Sequence, residues 1–216
     1  MKLRIIKQLE NGYSHLEAVN VIPFGICPTV NVKSEISGSS EQLVTVGRLA
    51  KKLGGITLVC ADSDNLGVLH RSVFIFDGAK LISVCNQNYV EQKFSPSFGF
   101  KTFKIGGKKI GVLVDRDIYE PDAVKTFVFS ECDAIIDLYA DFCALKAHVA
   151  AEFYSYVYGI DFAVISKEES FVYTSDGSFL KGDGISEFNL NCNREYCERK
   201  SKRRGMAFGS SILKNK

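Results

Sequence analysis

The chain has 216 residues, 46% of them hydrophobic and 24% charged, with a formal net charge of +2. That balance suits one large globular domain with a real core and excludes disorder along the whole chain. The charge is unevenly spread: residues 194–216 carry eight Lys/Arg against two Glu, a net of +6, which leaves 19 basic and 23 acidic residues, a net of −4, elsewhere.

Seven cysteines, an odd number with no CxxC, argue against a disulfide scaffold. Cys60 and Cys85 end apolar runs, as buried reduced thiols do. Cys192 and Cys197 have no further ligands nearby to make a zinc site. The opening MKLRIIKQLENG has no apolar core of signal-peptide length, and no apolar stretch is long enough to span a membrane as a helix. The cytoplasm is the expected location.

LRIIKQL (3–9) reads as a first strand and AVNVI (18–22) as a second, stopped by Pro23. About eight residues separate them, which is short for a helical crossover between parallel strands. Either the first helix is missing or stunted, or the two strands are not a standard βαβ unit. KSEISGSSE (33–41) reads as a polar loop, with Ser39 and Gln42 forming a capping box for the helix that follows. Leu43, Val46, Ala50 and Leu53 give that helix one apolar face, and Gly54-Gly55 stop it. ITLVC (56–60) is a buried strand.

Two hairpins follow, SVFIF/KLISVC around Asp77-Gly78 and FKTFKI/KIGVLV around Gly106-Gly107. Pro121 starts a helix, and DAIIDL (133–138) is a buried strand. A helix over 145–158 spaces Leu145, Val149, Phe153 and Val157 four apart. IDFAVI, SFVYT and SFLKG close the body, with Asp176-Gly177 as a turn. Helices alternating with buried strands and hairpins predict a layered α/β fold with mixed sheets over residues 1–182, and a basic tail over 183–216.

The order of these elements carries more information than any one of them. In VFIFDGAKLISV, KFSPSFGFKTFKIGGKKIGVLVDRDIYEPDAVKTF and CDAIIDLYADF, an Asp-Gly hairpin precedes an F-x-P element and a Gly-Gly hairpin. A strand ending in acids and a proline-started helix come next. HVAAEFYSYVYGIDFAVIS and SFVYTSDGSFL then supply a late helix, strand and closing hairpin. The chain here resembles the carbon–nitrogen hydrolase family, the nitrilase superfamily, over roughly residues 1–181. The resemblance implies an αββα sandwich and pairing between sandwiches. It also implies cleavage of amides, nitriles or carbamoyl groups by a Glu, a Lys and a Cys: a thiolate attacks carbon, a carboxylate moves protons and an ammonium stabilises the oxyanion.

All three positions depart from that pattern. The nucleophile's strand-end motif, like G-V-x-I-C-Y-D then P-E, reads Gly111-Val112-Leu113-Val114-Asp115-Arg116-Asp117 then Pro121-Asp122, which puts Asp115 at the cysteine. The lysine motif, like Y-R-K-x-H-L, reads Cys85-Asn86-Gln87-Asn88-Tyr89-Val90, which puts Gln87 at the lysine. The glutamate follows a proline after an early strand, where Val21-Ile22-Pro23-Phe24 offers Phe24. Glu91 lies near the place of an additional family carboxylate.

Phe24, Gln87, Glu91, Asp115, Arg116 and Asp117 are thus expected to line a vestigial pocket, with Asp117 held structurally and Arg71 or Arg116 as its partner. The expectation is a catalytically inactive homologue that binds a small ligand or a partner protein and forms a homo-oligomer. The alternative is a divergent amidase centred on Asp115, with Cys27 or Cys143 as candidate displaced nucleophiles.

No cofactor or metal is implied. His15, His70 and His148 show no ligand spacing, and a His148–Glu152 helical pair is two ligands short. Gly106-Gly107 opens a strand, not a helix, and reads as a turn rather than a phosphate cradle. The tail's RKSKRR (199–204) lacks interleaved aromatics, so nucleic acid is not an expected partner.

Overall fold

The computed structural model describes residues 1–6, 18–91, 93–140, 145–182 and 186–190. Two mixed sheets face each other. The first runs β13 (Ser186–Asn189), β1 (Lys2–Ile5), β2 (Ala18–Ile22), β4 (Ile56–Asn65), β5 (Val68–Asp77), β6 (Lys80–Asn86), with the short β3 (Val30–Asn31) beside β4. The second runs β12 (Phe179–Gly182), β11 (Ser170–Tyr173), β10 (Asp161–Ile165), β9 (Ala134–Leu138), β8 (Lys108–Val114), β7 (Lys101–Ile105). Helix α2 (Gln42–Leu53) packs on the outer side of the first sheet, and α3 (Pro121–Phe129) and α4 (Leu145–Tyr158) on the outer side of the second, while the short α1 (Val32–Ile36) follows β3.

Strand alternation separates three apolar layers. Val19, Val21, Leu58, Val73 and Ile75 of the first sheet meet Ile110, Val112, Val114, Ile136 and Ala163 of the second between the sheets. The intervening residues face the helices: Ile22, Val59, Phe74 and Phe76 pack under Ala50 and Leu53, while Leu113, Ile135, Phe162 and Val164 pack under Phe127, Ala147 and Ala151. This is the layered fold with mixed sheets expected from the order of elements, and the αββα sandwich that the family resemblance implies.

Strands β1 and β2 are parallel neighbours, Leu3 beside Val19. The expected missing or stunted helix between them falls on residues 7–17, outside the described residues. Strand β4 runs past ITLVC to Asn65 and turns through Leu66 (φ 57°) and Gly67 (φ 86°) into β5. Two consecutive left-handed residues make the kind of turn that suits a hairpin's twist. Asp64 steadies it by accepting the Gly67 N–H at 2.7 Å.

Three local expectations are corrected. The polar loop over 33–41 contains α1, whose N-cap Asn31 accepts the Ser34 N–H at 2.9 Å. The Ser39 capping box does not form: Ser39 donates to the Ser34 carbonyl, and the first N–H groups of α2, on Gln42 and Leu43, donate to the Glu35 carboxylate at 2.8 and 3.1 Å. Residues 186–189, read from sequence as part of the tail, form β13 against β1, with Phe188 and Leu190 buried.

Candidate functional site

The site lies where the two sheets open at one end. Asp115 follows Val114 at the end of β8, begins a 3₁₀ turn (Asp115–Tyr119), and has φ 56°. A left-handed non-glycine residue is strained, and such strain gathers at functional sites. Asp115 is also 2% exposed, so its carboxylate is sealed from water.

What seals it is Arg71. Alternation along β5 places Arg71 on the same inter-sheet face as Val73 and Ile75. Its Nη1 donates to Asp115 Oδ2 at 2.6 Å. Its Nε lies 3.6 Å from Asp62 Oδ1, on the cross-strand neighbour in β4. The guanidinium carbon sits 4.6 Å from the Phe94 ring centroid and 5.7 Å from that of Phe24. One cation is thus held by two carboxylates and two aromatic rings, each a favourable partner for a guanidinium.

The remaining valences of Asp115 are also taken. Gln87 Nε2 donates to Asp115 Oδ2 at 3.3 Å and to the Tyr89 carbonyl at 2.8 Å. The Ala140 N–H, just beyond β9, donates to Asp115 Oδ1 at 3.2 Å. Phe24, Gln87 and Asp115 therefore do converge, around a guanidinium rather than around an open cavity.

The other candidates lie at the rim. Asp117, fully buried, accepts the N–H groups of Asn88 (3.0 Å) and Tyr89 (2.9 Å) and the Asn88 side-chain amide (3.3 Å). It fastens the chain that carries Gln87. Burial pushes its carboxyl up to about 6, against these bonds, which favour the charge. The expected arginine partners of Asp117 go elsewhere: Arg71 to Asp115 and Asp62, and Arg116 to Glu91 in an exposed ion pair. A shallow hollow of about 540 Å³ opens here, lined by Asn88, Tyr89, Glu91, Pro96, Arg116 and Tyr119.

Behind Asp115 sits a carboxylate the sequence reading passed over. Asp137 of β9 is fully buried between its register partners Leu113 and Val164. Neither of its oxygens has a hydrogen-bond partner among the described residues, and the neighbouring Leu138 N–H favours its charge only weakly. Burial, and then the charges of Asp115 and Asp117, push its carboxyl well above the usual carboxylate range.

Burial likewise raises the Cys27 thiol, which disfavours the thiolate a displaced nucleophile needs. Cys143, the other such candidate, lies outside the described residues, as do His15 and the 191–216 stretch of the tail. His148 stacks on Phe171 at 3.7 Å with Nε2 3.5 Å from Glu169, and His70 Nδ1 lies 2.8 Å from the Ser95 carbonyl. Among the described residues no helix is long and apolar enough to cross a membrane.

No family model and no curated protein matches the sequence. Solved structures do. A carbon–nitrogen hydrolase from Helicobacter pylori G27 matches with a TM-score of 0.69 and 16% identity, over 91% of this chain and 86% of that one. Saccharomyces cerevisiae Nit3, of branch 10 of the nitrilase superfamily, matches with 0.72 and 15%, over 99% and 96%. A mutant of the Nesterenkonia AN1 amidase matches with 0.68 and 12%, over 96% and 97%. The fold of this chain is the αββα sandwich of the carbon–nitrogen hydrolase, or nitrilase, superfamily.

Proposed function

We propose that this chain is a catalytically inactive member of the fold family, acting by binding a small ligand or a partner protein, a second copy of itself included. The observation that carries the reading is the Arg71–Asp115 pair at 2.6 Å in the place where the resemblance puts the nucleophile. A group that attacks carbon needs a free electron pair aimed at an open space. Both oxygens of Asp115 are engaged, by Arg71, Gln87 and Ala140, and the space before them is filled. Gln87 supplies no positive charge for an oxyanion and Phe24 moves no proton. The rim hollow beside Arg116 and Glu91 is where a small polar ligand would lodge.

The test is ammonia release by the purified protein over a broad panel of amides, carbamoyl compounds and nitriles, beside Asp115→Asn. The expected result is no release from either folded protein. Release by the wild type that vanishes in Asp115→Asn would make this a hydrolase with a replaced nucleophile and overturn the reading.

A further inference from the structure

The guanidinium of Arg71 fills its cage without fitting it. Two carboxylates face it, Asp115 and Asp62, and among the described residues no other cation is within ion-pair reach of either. Of the five N–H groups a guanidinium offers, one bonds to a carboxylate here, Nη1 to Asp115 Oδ2 at 2.6 Å. Arg71 Nε and Asp62 Oδ1 stand 3.6 Å apart, too far for a hydrogen bond. Both atoms are buried and have no other hydrogen-bond partner among the described residues.

The tether explains the misfit. Arg71 sits within β5, opposite Asp62 of β4, and its carbonyl accepts the Gln87 N–H at 2.9 Å. A backbone so fixed cannot move to improve the contact, and the side chain reaches Asp115 through one nitrogen. A free guanidinium has no such constraint and can lay two parallel N–H groups on one carboxylate, the arrangement it prefers. Asp115 has room for that fork. Apart from the bond to Arg71, Oδ1 accepts one bond, from Ala140, and Oδ2 one, from Gln87, so each keeps a lone pair.

The rest of the cage suits the same guest. The Phe24 and Phe94 rings beside the guanidinium attract any planar cation. The charge count leaves one cation too few, a single guanidinium for two carboxylates. The way in lies on the Asp62 side, where the side chains of Asp62 and Arg71 are 29 and 16% exposed, against 2% for Asp115. The rim hollow of about 540 Å³ begins one link away, since Gln87 bonds both Asp115 and the carbonyl of Tyr89, which lines it.

We propose that the space before Asp115 is a guanidinium site whose built-in occupant is Arg71. A small ligand with a terminal guanidinium takes Asp115 between the two rings, and Arg71 falls back on Asp62, so that each carboxylate holds one cation. The body of the ligand lies in the rim hollow. This deepens the binding reading by naming the ligand class and its seat. Its test reads binding rather than turnover, so either reading can fail alone.

The experiment is calorimetric titration of the full chain with methylguanidinium at fixed ionic strength, on wild type, Arg71→Ala and Arg71→Ala with Asp115→Asn. Arg71→Ala empties the seat and binds with a Kd of about 1 mM, within reach of so small a ligand. The wild type binds at least about 30-fold more weakly, because the tethered guanidinium competes at a high effective concentration. Adding Asp115→Asn weakens binding at least about tenfold, and so does replacing the probe with methylammonium, which has no fork. Methylguanidinium at about ten times its Kd raises the melting temperature of Arg71→Ala by about 4 °C. Arg71→Ala that binds no more tightly than wild type, or equally well after Asp115→Asn, overturns the proposal. Equal binding of methylammonium overturns the ligand class. Were Arg71→Ala unfolded alone, circular dichroism would read its folding by methylguanidinium, and a chain that stayed unfolded, or folded equally in methylammonium, would overturn the proposal as well.

Discussion

Replacing Arg71 with alanine destabilises the protein by about 3–5 kcal/mol, the loss expected when one partner of a buried ion pair is removed and the other charge stays behind. The reason is local. Asp115 is 2% exposed, and Arg71 is the cation that meets its carboxylate, so deleting it leaves a buried carboxylate without its counter-charge. The Phe24 and Phe94 rings lose their packing partner as well. For a chain of this length the change lowers the melting temperature by roughly 10 °C. Arg71→Met combined with Asp115→Asn costs less than the two single changes added together, with a coupling of about 0.5–3 kcal/mol, because the double variant removes both charges of the pair and strands neither. Asparagine is the fitting replacement because it tolerates the left-handed backbone that Asp115 occupies at φ 56°. Urea unfolding at constant slope measures all four corners of this cycle. A loss below about 1 kcal/mol for Arg71→Ala would put the pair among exposed ion pairs and the site open to solvent.

Asp137→Val acts in the opposite direction and stabilises the fold by about 2 kcal/mol at neutral pH, within the range set by burying a polar group without a partner. Leu113 and Val164 flank the position in register, and a β-branched residue suits the strand. The pH dependence has a definite sign. Asp137 is held neutral in the folded protein well above 3.8, the ordinary value at which it ionises once unfolded. Its contribution is therefore fully present below that value and is lost as pH rises toward the folded value. Valine does not titrate, so the gain widens as pH rises. Thermal unfolding of both proteins across the acid-to-neutral range checks this, and a gain that shrank with rising pH would contradict a neutral buried acid.

Much of this was written in the sequence. Asp-Gly and Gly-Gly turns between apolar runs fixed two hairpins, and the family resemblance carried by the order of elements implied the sandwich that the solved structures share. Local polar patterns were less legible. Ser39 with Gln42 has the form of a capping box, but Glu35 outcompetes it with two oxygens aimed at the same N–H groups.

The face of α4 could not be read from spacing alone. Leu145, Val149 and Phe153 repeat every four residues whether they face the core or solvent, and the face that does pack is lined by alanines. Strand β13 escaped notice because four residues with one buried phenylalanine carry little pattern, and β1, which orders them, lies at the other end of the chain.

At the site, the substitutions Phe24, Gln87 and Asp115 stand in the sequence, but what they surround does not. Arg71 is 44 residues from Asp115, and only the closing of two sheets brings them together. One signal was available: an arginine just before the apolar run VFIF in the second strand of a hairpin, VLHRSVFIFD, must find a counter-charge if it is buried. The two carboxylates that answer it, Asp62 and Asp115, come one from each sheet.

The central claim is that the space before Asp115 is filled by the chain's own guanidinium. Nitrogen-15 NMR of arginine side chains tests it most directly. A sealed Arg71 gives a guanidinium whose Nη protons exchange slowly and whose rotation is hindered, and Asp115→Asn loosens both. Fast exchange and free rotation of Arg71 in the wild type would contradict the claim and leave an open site with an available carboxylate.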